Sequence, residues 1–599
     1  MGRPPSIRRR PRPEPDTDTL NRRGFFTRAG AATAILAASP AMGAEPLSGR
    51  HQPPRGEEAR VAFLHGVASG DPDQHSVLLW TRVTPPARAP ATPQVDNEMT
   101  SRRGREDKDN LNVIWLVAND PALRKVVAHG RTRTGPGRDY TVKVEAGDLA
   151  AGRTFYYRFF AEGVWSPIGR TRTLPAGHTT RLRLAVASCS NHAAGYFNAY
   201  RQIARRSDLD AVVHLGDYLY EYGPAVFGSL RVPDPPYEMV TLSDYRRRHA
   251  QYKADADLQE VHRQHPMICI WDDHEITNDA WRDGAQNHTE GVEGAWGDRV
   301  RAALTAYYEW MPVREREADD QQASRPSRRL QRSFRFGDLA ELVMLEERLQ
   351  ARSQQLAATI AVPGLGNGFV QKGAFTDPTR TLLGDEQEAW LGRRLRLTPA
   401  RWKLVGQQVM FAPLKLVAAP RATGGGVFAN PDQWDGYQPA RDRIFEVLRG
   451  GEGQPAVEDC IVLTGDIHSS WAADLTPDPN NPLPATGGYD AATGTGSLGV
   501  EFVTTSITSP GLNDPNGSTA AFLRSVNPHF KYVELNNRGY CLLDITHQKT
   551  VCEWWHVDSV VAPSNVETLA VAMEVLAGTQ RLVPSAMTSP KANPPALAP

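Results

Sequence analysis

The sequence predicts an α/β layered domain behind a β-rich amino-terminal region, and three observations point there. Four short apolar runs, Leu184–Ala187, Ala211–Leu215, Met267–Ile270 and Ile461–Thr464, are almost uninterrupted by polar residues, which is how strands covered on both faces read. Stretches with helical spacing, such as Tyr196–Arg206 and Asp385–Leu397, lie between them, and that alternation implies layers of helix on sheet. Residues 61–174 differ in texture. Val77–Thr81, Val113–Val117 and Phe155–Phe160 are β-branched and aromatic, separated by Gly, Pro and Asp clusters, as in a β-sandwich.

Composition sets the outer bounds. The 599 residues are 40% apolar and 23% charged, enough for a large core, which excludes collagen, coiled coil and wholesale disorder. The 68 basic and 68 acidic residues cancel, so no global basic field points to nucleic acid. Five cysteines (Cys189, Cys269, Cys460, Cys541 and Cys552) are too few for a disulfide scaffold, and their odd number leaves at least one thiol unpaired. Cys541 and Cys552 are spaced so that a carboxy-terminal hairpin pairs them or leaves them as core residues; the spacing decides neither.

The elements follow in chain order. Residues 1–44 hold eight Arg against three acidic residues, so the remainder carries a net charge of −5. Asn21-Arg22-Arg23-Gly24-Phe25-Phe26 precedes a short apolar run, Ala29–Ala38, and small residues through Ala44. The run is far below the ~20 residues a membrane span needs. Charged flank, short apolar run and small-residue end are the parts of a signal peptide, and the paired arginines make it resemble a twin-arginine signal. A basic tail beside an Ala-rich helix is the other reading. On the first, the twin-arginine export machinery is a partner, the mature protein is periplasmic or secreted, and it has no transmembrane segment. Residues 84–110 read as an exposed Pro-rich and charged loop, 173–177 as a linker, 314–329 and 476–497 as polar insertions, the latter a lid or a plain loop. The Pro-rich tail 583–599 reads as disordered.

Each of the four apolar runs ends in side chains that ligate metals. Ser188 and Cys189 follow the first, Gly216-Asp217-Tyr218-Leu219-Tyr220 the second, Trp271-Asp272-Asp273-His274-Glu275 and then Asn278 the third, and Gly465-Asp466-Ile467-His468 the fourth. Ligands of α/β sheets bind beyond the carboxyl ends of strands, so these segments would bring Asp, Asn, His, Cys and Tyr to one rim. Oxygen donors with an imidazole suit hard cations, and a thiol and a phenol add room for iron. Taken singly, each piece has a plainer reading: Gly-Asp after a strand is often a turn with an Asx cap, and a lone Cys a small buried hydrophobe.

These motifs resemble a known family. Phe63-Leu64-His65-Gly66-Val67-Ala68-Ser69-Gly70-Asp71-Pro72 and Val77–Arg82 look like the amino-terminal domain of PhoD-like alkaline phosphatases/phosphodiesterases. Ala187-Ser188-Cys189-Ser190, Gly216–Tyr220, Trp271–Asn278 and Gly465–His468 look like that family's catalytic motifs, as does the stretch from Lys531–Leu535 to Glu553-Trp554. The resemblance implies a calcineurin-like metallophosphatase layered sandwich over 181–557, preceded by a fibronectin/immunoglobulin-like β-sandwich over 61–174. It implies one Fe3+ and two Ca2+ ions. Cys189, Asp217 and Tyr220 would hold the iron, Asp217 would also reach calcium, and Asn278, Asp466 and His468 would complete the cluster. Asp272, Asp273 and His274 would orient ligands from behind. Two departures, Leu345-Glu346-Glu347-Arg348 for the family's Leu-Asp-Thr-Arg and Gly406-Gln407-Gln408-Val409 for its Gly-Asn-Gln-Val, lie outside the metal motifs and bear on substrate preference.

The implied reaction is hydrolysis of phosphate esters by a cation-activated hydroxide or oxide, with no protein nucleophile. Asp217, Asn278, Asp466 and His468 would carry it, with Arg348 as a phosphate clamp or a surface ion pair. The alternatives are a phospholipase D-like phosphodiesterase acting on lipid headgroups, a binder whose cluster is vestigial, and a structural calcium site, against which the Cys189–Tyr220 pair argues.

Overall fold

The computed structural model describes residues 62–85, 110–315, 331–451 and 453–599. The arginine-rich segment 1–44, most of the loop 84–110 and most of the insertion 314–329 lie outside these residues.

All four apolar runs are strands, but not of one sheet. Arg181–Ala187, Ala211–His214 and Pro266–Cys269 lie side by side and parallel in a ten-stranded sheet. Cys460–Thr464 sits in a second, seven-stranded sheet, parallel to Trp402–Gln407 and Val500–Val503. The two sheets share one apolar cluster, to which Leu184, Ala185, Leu542 and Trp554 come from the first sheet and Trp402, Leu404, Ile461, Leu463 and Phe502 from the second. Indole N–H groups stitch the sheets together: Trp402 donates to the Thr546 carbonyl (2.6 Å) and Trp554 to the Val503 carbonyl (2.9 Å). Side chains alternate along Cys460–Thr464. Ile461 and Leu463 enter the shared cluster, while Cys460 and Val462 join a second cluster with Leu391, Leu395, Ile444 and Leu448 of helices Gly384–Leu397 and Gln438–Arg449. Helices Asn198–Ala204, Leu242–Lys253, Ala256–Gln264 and Trp296–Trp310 pack their apolar faces into the shared cluster. The result is two facing sheets flanked by helices.

The amino-terminal strands divide between two sheets. Leu111–Ala118, Val126–Thr134, Thr154–Ala161, Val164–Trp165 and Gly169–Arg172 form a five-stranded sheet. Val67–Gly70, Val77–Arg82 and Thr141–Ala146 instead extend the ten-stranded sheet, through parallel pairing of Ser69 with Pro266 and Gly70 with Met267. Val67, Leu79 and Val142 face Val117, Tyr157 and Phe159 in one cluster. The backbone ladder therefore crosses the linker that composition marks at 173–177.

Two expectations need correction. The tail from Val583 begins with strand Leu582–Pro584 and then docks: Tyr156 donates to the Ala596 carbonyl (2.6 Å), and the Ala598 amide donates to Gln264 Oε1 (2.8 Å). A Pro-rich chain has few N–H donors of its own, but its carbonyls accept from donors already fixed on the domain surface. The insertion 476–497 is no lid. Tyr489 ties it to Asp474 Oδ2 (2.6 Å), which pairs with Val500 at the end of the sheet away from Asp466. All five cysteines are buried and free, Cys541 and Cys552 included.

Candidate metal centre

The three parallel strands of the first sheet and strand Cys460–Thr464 of the second end at one place, and each chain then turns sharply. Cys189, Asp217, Asp466 and His468 all adopt positive φ (60°, 54°, 63° and 60°), sparsely populated for such residues and concentrated in proteins at functional sites. The glycine before each aspartate is required by close approach. A Cβ on Gly216, itself at φ +102°, would lie 2.5 Å from Asp272 Cβ, and one on Gly465 would lie 2.8 Å from Ser188 Cβ.

The turns bring donor atoms within 4.8 Å of one another in three linked groups: Cys189 with Asp217 and His468, Asp217 with Asp273 and His274, and Asp272 with Asp273 and Asp466. Asp217 joins the first to the second and Asp273 the second to the third. All four aspartates are buried, as is Cys189, and His468 is the partly open member. Tyr220 donates from its phenol to Asp217 Oδ2 (2.8 Å) and lies 3.2 Å from His468 Nε2, with the Ser509 hydroxyl 2.6 Å away. His468 Nδ1 faces the Pro510 carbonyl at 3.0 Å. A carbonyl only accepts, so Nδ1 carries the proton and Nε2 presents its lone pair to Tyr220 and Asp217. Asn278 is held beside the centre, its amide on Gln286 Oε1 (2.8 Å) and its backbone N–H on Glu221 (2.9 Å).

Arg348 is buried rather than at the surface. Its guanidinium contacts Asp272, Asp432 (3.1 Å to each oxygen), Asp466 (3.3 Å) and Asp273 (3.7 Å). It is the counter-charge of the third group. The two departures from the family pattern turn out to be scaffolding. Glu346 accepts from Trp271 Nε1 and from the amides of Arg348, Leu349 and Gln350, fixing the arginine's own backbone. Glu347 accepts from the amides of Gln408 and Val409, and burial pushes it up to about 8. Gln407 donates to the Thr464 hydroxyl (3.1 Å) and accepts from Trp434 Nε1 (2.9 Å), while its neighbour Gln408 donates to the Trp271 carbonyl (2.8 Å) and accepts from the Gly465 amide (3.0 Å), which ties the third and fourth segments together.

Sequence reasoning missed three supports and ranked others too low. Asp273 belongs to two of the three groups, although the sequence places it behind the ligands. Glu275 accepts from the amides of Asp217, Tyr218 and Asp272, and burial beside Asp217 pushes it well above the carboxylate range. Glu221 accepts from His274 Nδ1 at 2.7 Å. Burial alone would lower His274, but Glu221, Asp217 and Asp273 push it up to about 10, so it stands as an imidazolium. Its place in the Trp271–Asn278 motif gives no sign of this. Glu221, Asp432 and Ser509 carry no motif signal and meet the centre only through folding.

The donor set fits cations. Burial, with Asp217 next, pushes both the Cys189 thiol and the Tyr220 phenol well above their ordinary ranges. Four aspartates meeting in a buried space repel one another and are tolerated only with counter-charge. Arg348 and His274 supply part of it, and a cation among Cys189, Asp217, Tyr220 and His468 would supply the rest, deprotonating the thiol as it bound.

The chain matches two family models, PhoD-like phosphatase over residues 184–554 and the amino-terminal domain of PhoD-like phosphatase over 49–175. It is 36% identical over 510 residues to alkaline phosphatase D of Bacillus subtilis (strain 168), covering 84% of this chain and 78% of that protein. It superposes on a solved structure of PhoD with a TM-score of 0.74 and 32% identity, covering 90% of this chain and 94% of the other.

Proposed function

The chain belongs to the PhoD-like phosphatase family and is a phosphoric ester hydrolase; on that premise we propose that it acts as an exported, metal-dependent phosphatase/phosphodiesterase whose ions are one Fe3+ and two Ca2+. The observation that carries this reading is the convergence of Cys189, Asp217, Asp273, Asp466 and His468 from the ends of strands in two sheets. In it, Cys189, Asp217 and Tyr220 would hold the iron with His468 beside them, and Asp217, Asn278, Asp273 and Asp466 would offer oxygens to calcium. We read the facing sheets with their flanking helices as the calcineurin-like layering, and the strands of 62–174 as the sandwich ahead of it. Bound cations supply Lewis-acid charge against the phosphoryl oxygens and lower the pKa of a coordinated water.

The protein's own groups do the rest. The Pro510 carbonyl fixes the His468 tautomer, so Nε2 faces the reacting region. Glu275 holds the Asp217 and Asp272 backbones at set positions, and Arg348 balances Asp466 and Asp272 without facing solvent. Among the described residues no helix is long and apolar enough to cross a membrane. Export through the twin-arginine route rests on residues 21–44, outside the described residues.

A second reading, hydrolysis of lipid headgroup esters, is favoured by one surface. The segment that sets Phe227 5.8 Å from the His468 ring also carries Val226, Leu230, Val232 and Tyr237 in exposed positions. Such side chains suit an apolar portion of a substrate or leaving group. The test compares p-nitrophenyl phosphate, bis-p-nitrophenyl phosphate and a phospholipid in vesicles, with and without calcium chelation, alongside iron analysis. Activity lost on chelation and restored by calcium, in protein that contains iron, is expected. Full turnover in iron-free, chelated protein would overturn the metal assignment.

A further inference from the structure

A second cluster of ligating side chains lies at the opposite end of the strands. His178, Asp338 and His547 bring one donor atom each within 4.8 Å of one another. His178 stands in the turn before strand Arg181–Ala187, Asp338 in the turn before Ala340–Met344, and His547 in the hairpin after Gly539–Thr546. Cys189 follows the far end of that first strand, so its seven residues at ~3.3 Å each separate the two centres by about 20 Å.

We propose that His178, Asp338 and His547 form a second metal site, a surface clip for a borderline divalent transition ion of the Zn2+ type. The carboxylate serves both rings with different oxygens: His178 Nδ1 lies 2.9 Å from Asp338 Oδ2, and His547 Nε2 lies 3.5 Å from Oδ1. Zinc bonds to nitrogen and oxygen of about 2.0–2.2 Å put tetrahedral neighbours roughly 3.3 Å apart, a separation that the 2.9 and 3.5 Å nitrogen–oxygen spacings bracket. The rings are nearly parallel, 13° between planes and 5.1 Å between centroids. His547 Nε2 is shut off from solvent and makes no hydrogen bond among the described residues, although the rest of the ring is partly open. Two imidazoles with one carboxylate select zinc, cobalt, nickel or copper rather than calcium or magnesium.

Backbone groups of neighbouring segments hold the site in place. The Asp338 amide donates to the Gly177 carbonyl (3.0 Å), the Thr179 amide to Asp338 Oδ1 (2.9 Å), and the Arg401 amide to the Asp338 carbonyl (2.9 Å). Trp402 anchors the third turn through Thr546. His178 and Asp338 are 67% and 44% exposed, so an ion enters from solvent and keeps water in its remaining positions. It would fasten the segment just before strand Arg181–Ala187 to one turn from each sheet.

The test uses the full protein with the ions it carries as purified. Wild type and the His178→Ala/His547→Ala variant are titrated calorimetrically with Zn2+, and with Co2+ as a visible-absorption probe of imidazole ligation. Wild type is expected to take up one more equivalent than the double variant, whose residual affinity falls at least about 100-fold. Zn2+ should raise the urea midpoint of wild type alone, and p-nitrophenyl phosphate turnover should match in both. Asp338→Asn, which keeps the Thr179 contact, should lose the extra equivalent too. Equal stoichiometry and an equal response to Zn2+ in wild type and both variants would overturn the proposal.

Discussion

Arg348→Met separates two roles for this arginine, internal counter-charge and substrate clamp. The guanidinium is fully buried and lies 3.1–3.7 Å from oxygens of Asp432, Asp466 and Asp273, with Asp272 closer still. At an effective dielectric of 20, a unit pair at 3.3 Å attracts by about 5 kcal/mol before desolvation is subtracted. Removing one partner of a buried ion network costs about 3–5 kcal/mol net, because the carboxylates stay behind without the charge they were folded around. Methionine fills most of the stem and removes only the charge and the fork. Urea unfolding should therefore lose that amount, turnover should fall, and added Ca2+ should recover part of the stability by supplying charge to the same carboxylates. Arg348→Lys should recover only part of it, since one ammonium cannot bridge Asp432 and Asp466 as a fork does. A methionine variant with wild-type unfolding free energy and kcat, and only a raised KM for phosphate esters, would refute the counter-charge reading and restore the clamp.

Other perturbations test the same architecture. Asp217→Asn keeps the shape but removes the charge shared by two donor groups; turnover should fall by about 10²–10³-fold, while the chelated protein unfolds at a higher temperature because one of four crowded carboxylates is gone. Wild-type turnover would sink the assignment of Asp217 as the shared ligand. Gly216→Ala forces φ +102° on a side chain and sets a Cβ 2.5 Å from Asp272, so thermal stability and activity should fall together, the backbone alone costing about 1–3 kcal/mol; an unchanged melting temperature would show that the turn relaxes freely. Lys253 is buried, its Nζ 2.9 Å from His262 Nε2, and burial lowers it to about 7. A pKa lowered on folding adds stability above the unfolded value near 10.5, and that stability is lost as pH falls toward 7. Lys253→Met should thus gain stability over wild type at neutral pH, by about 1.4 kcal/mol per pH unit of the window at most, and the gain should vanish toward pH 10.5. A gain independent of pH would mean that packing, not charge, is responsible.

The strand ends were legible because two local rules coincide there. An apolar run of four or five residues fixes a covered strand, and a glycine before an acid marks the place where backbone must pass close to another segment, as Gly216 and Gly465 do. What followed the third strand was not legible. Asp272, Asp273, His274 and Glu275 are consecutive and all buried, yet they face Arg348, the ligand groups, Glu221 and three backbone amides respectively. The chain has left regular structure there, so no period says which way each side chain points. Nor does local pattern encode partners that arrive from elsewhere. Asp432 and Ser509 sit in unremarkable loops, and the pairing of Ser69 with Pro266 joins strands almost two hundred residues apart. Composition changes texture near 175, but the backbone pairing of Ser69 with Pro266 runs across that change.

The conformations at the centre show what its residues cost the fold. Cys189, Asp217, Asp466 and His468 each occupy a backbone region that costs roughly 1–3 kcal/mol for a non-glycine residue. Two of them, Asp217 and Asp466, are also buried with carboxylates that prefer water. Neither cost is recovered locally, so it must be offset by the apolar cluster between the sheets and by the amide donors that Glu275, Glu346 and Glu347 collect. Asparagine or glycine at 217 or 466 would relax the turn or the charge, and would stabilise the metal-free fold for that reason. Retaining aspartate at such positions is uneconomical for folding alone; it makes physical sense when something positively charged completes the fold.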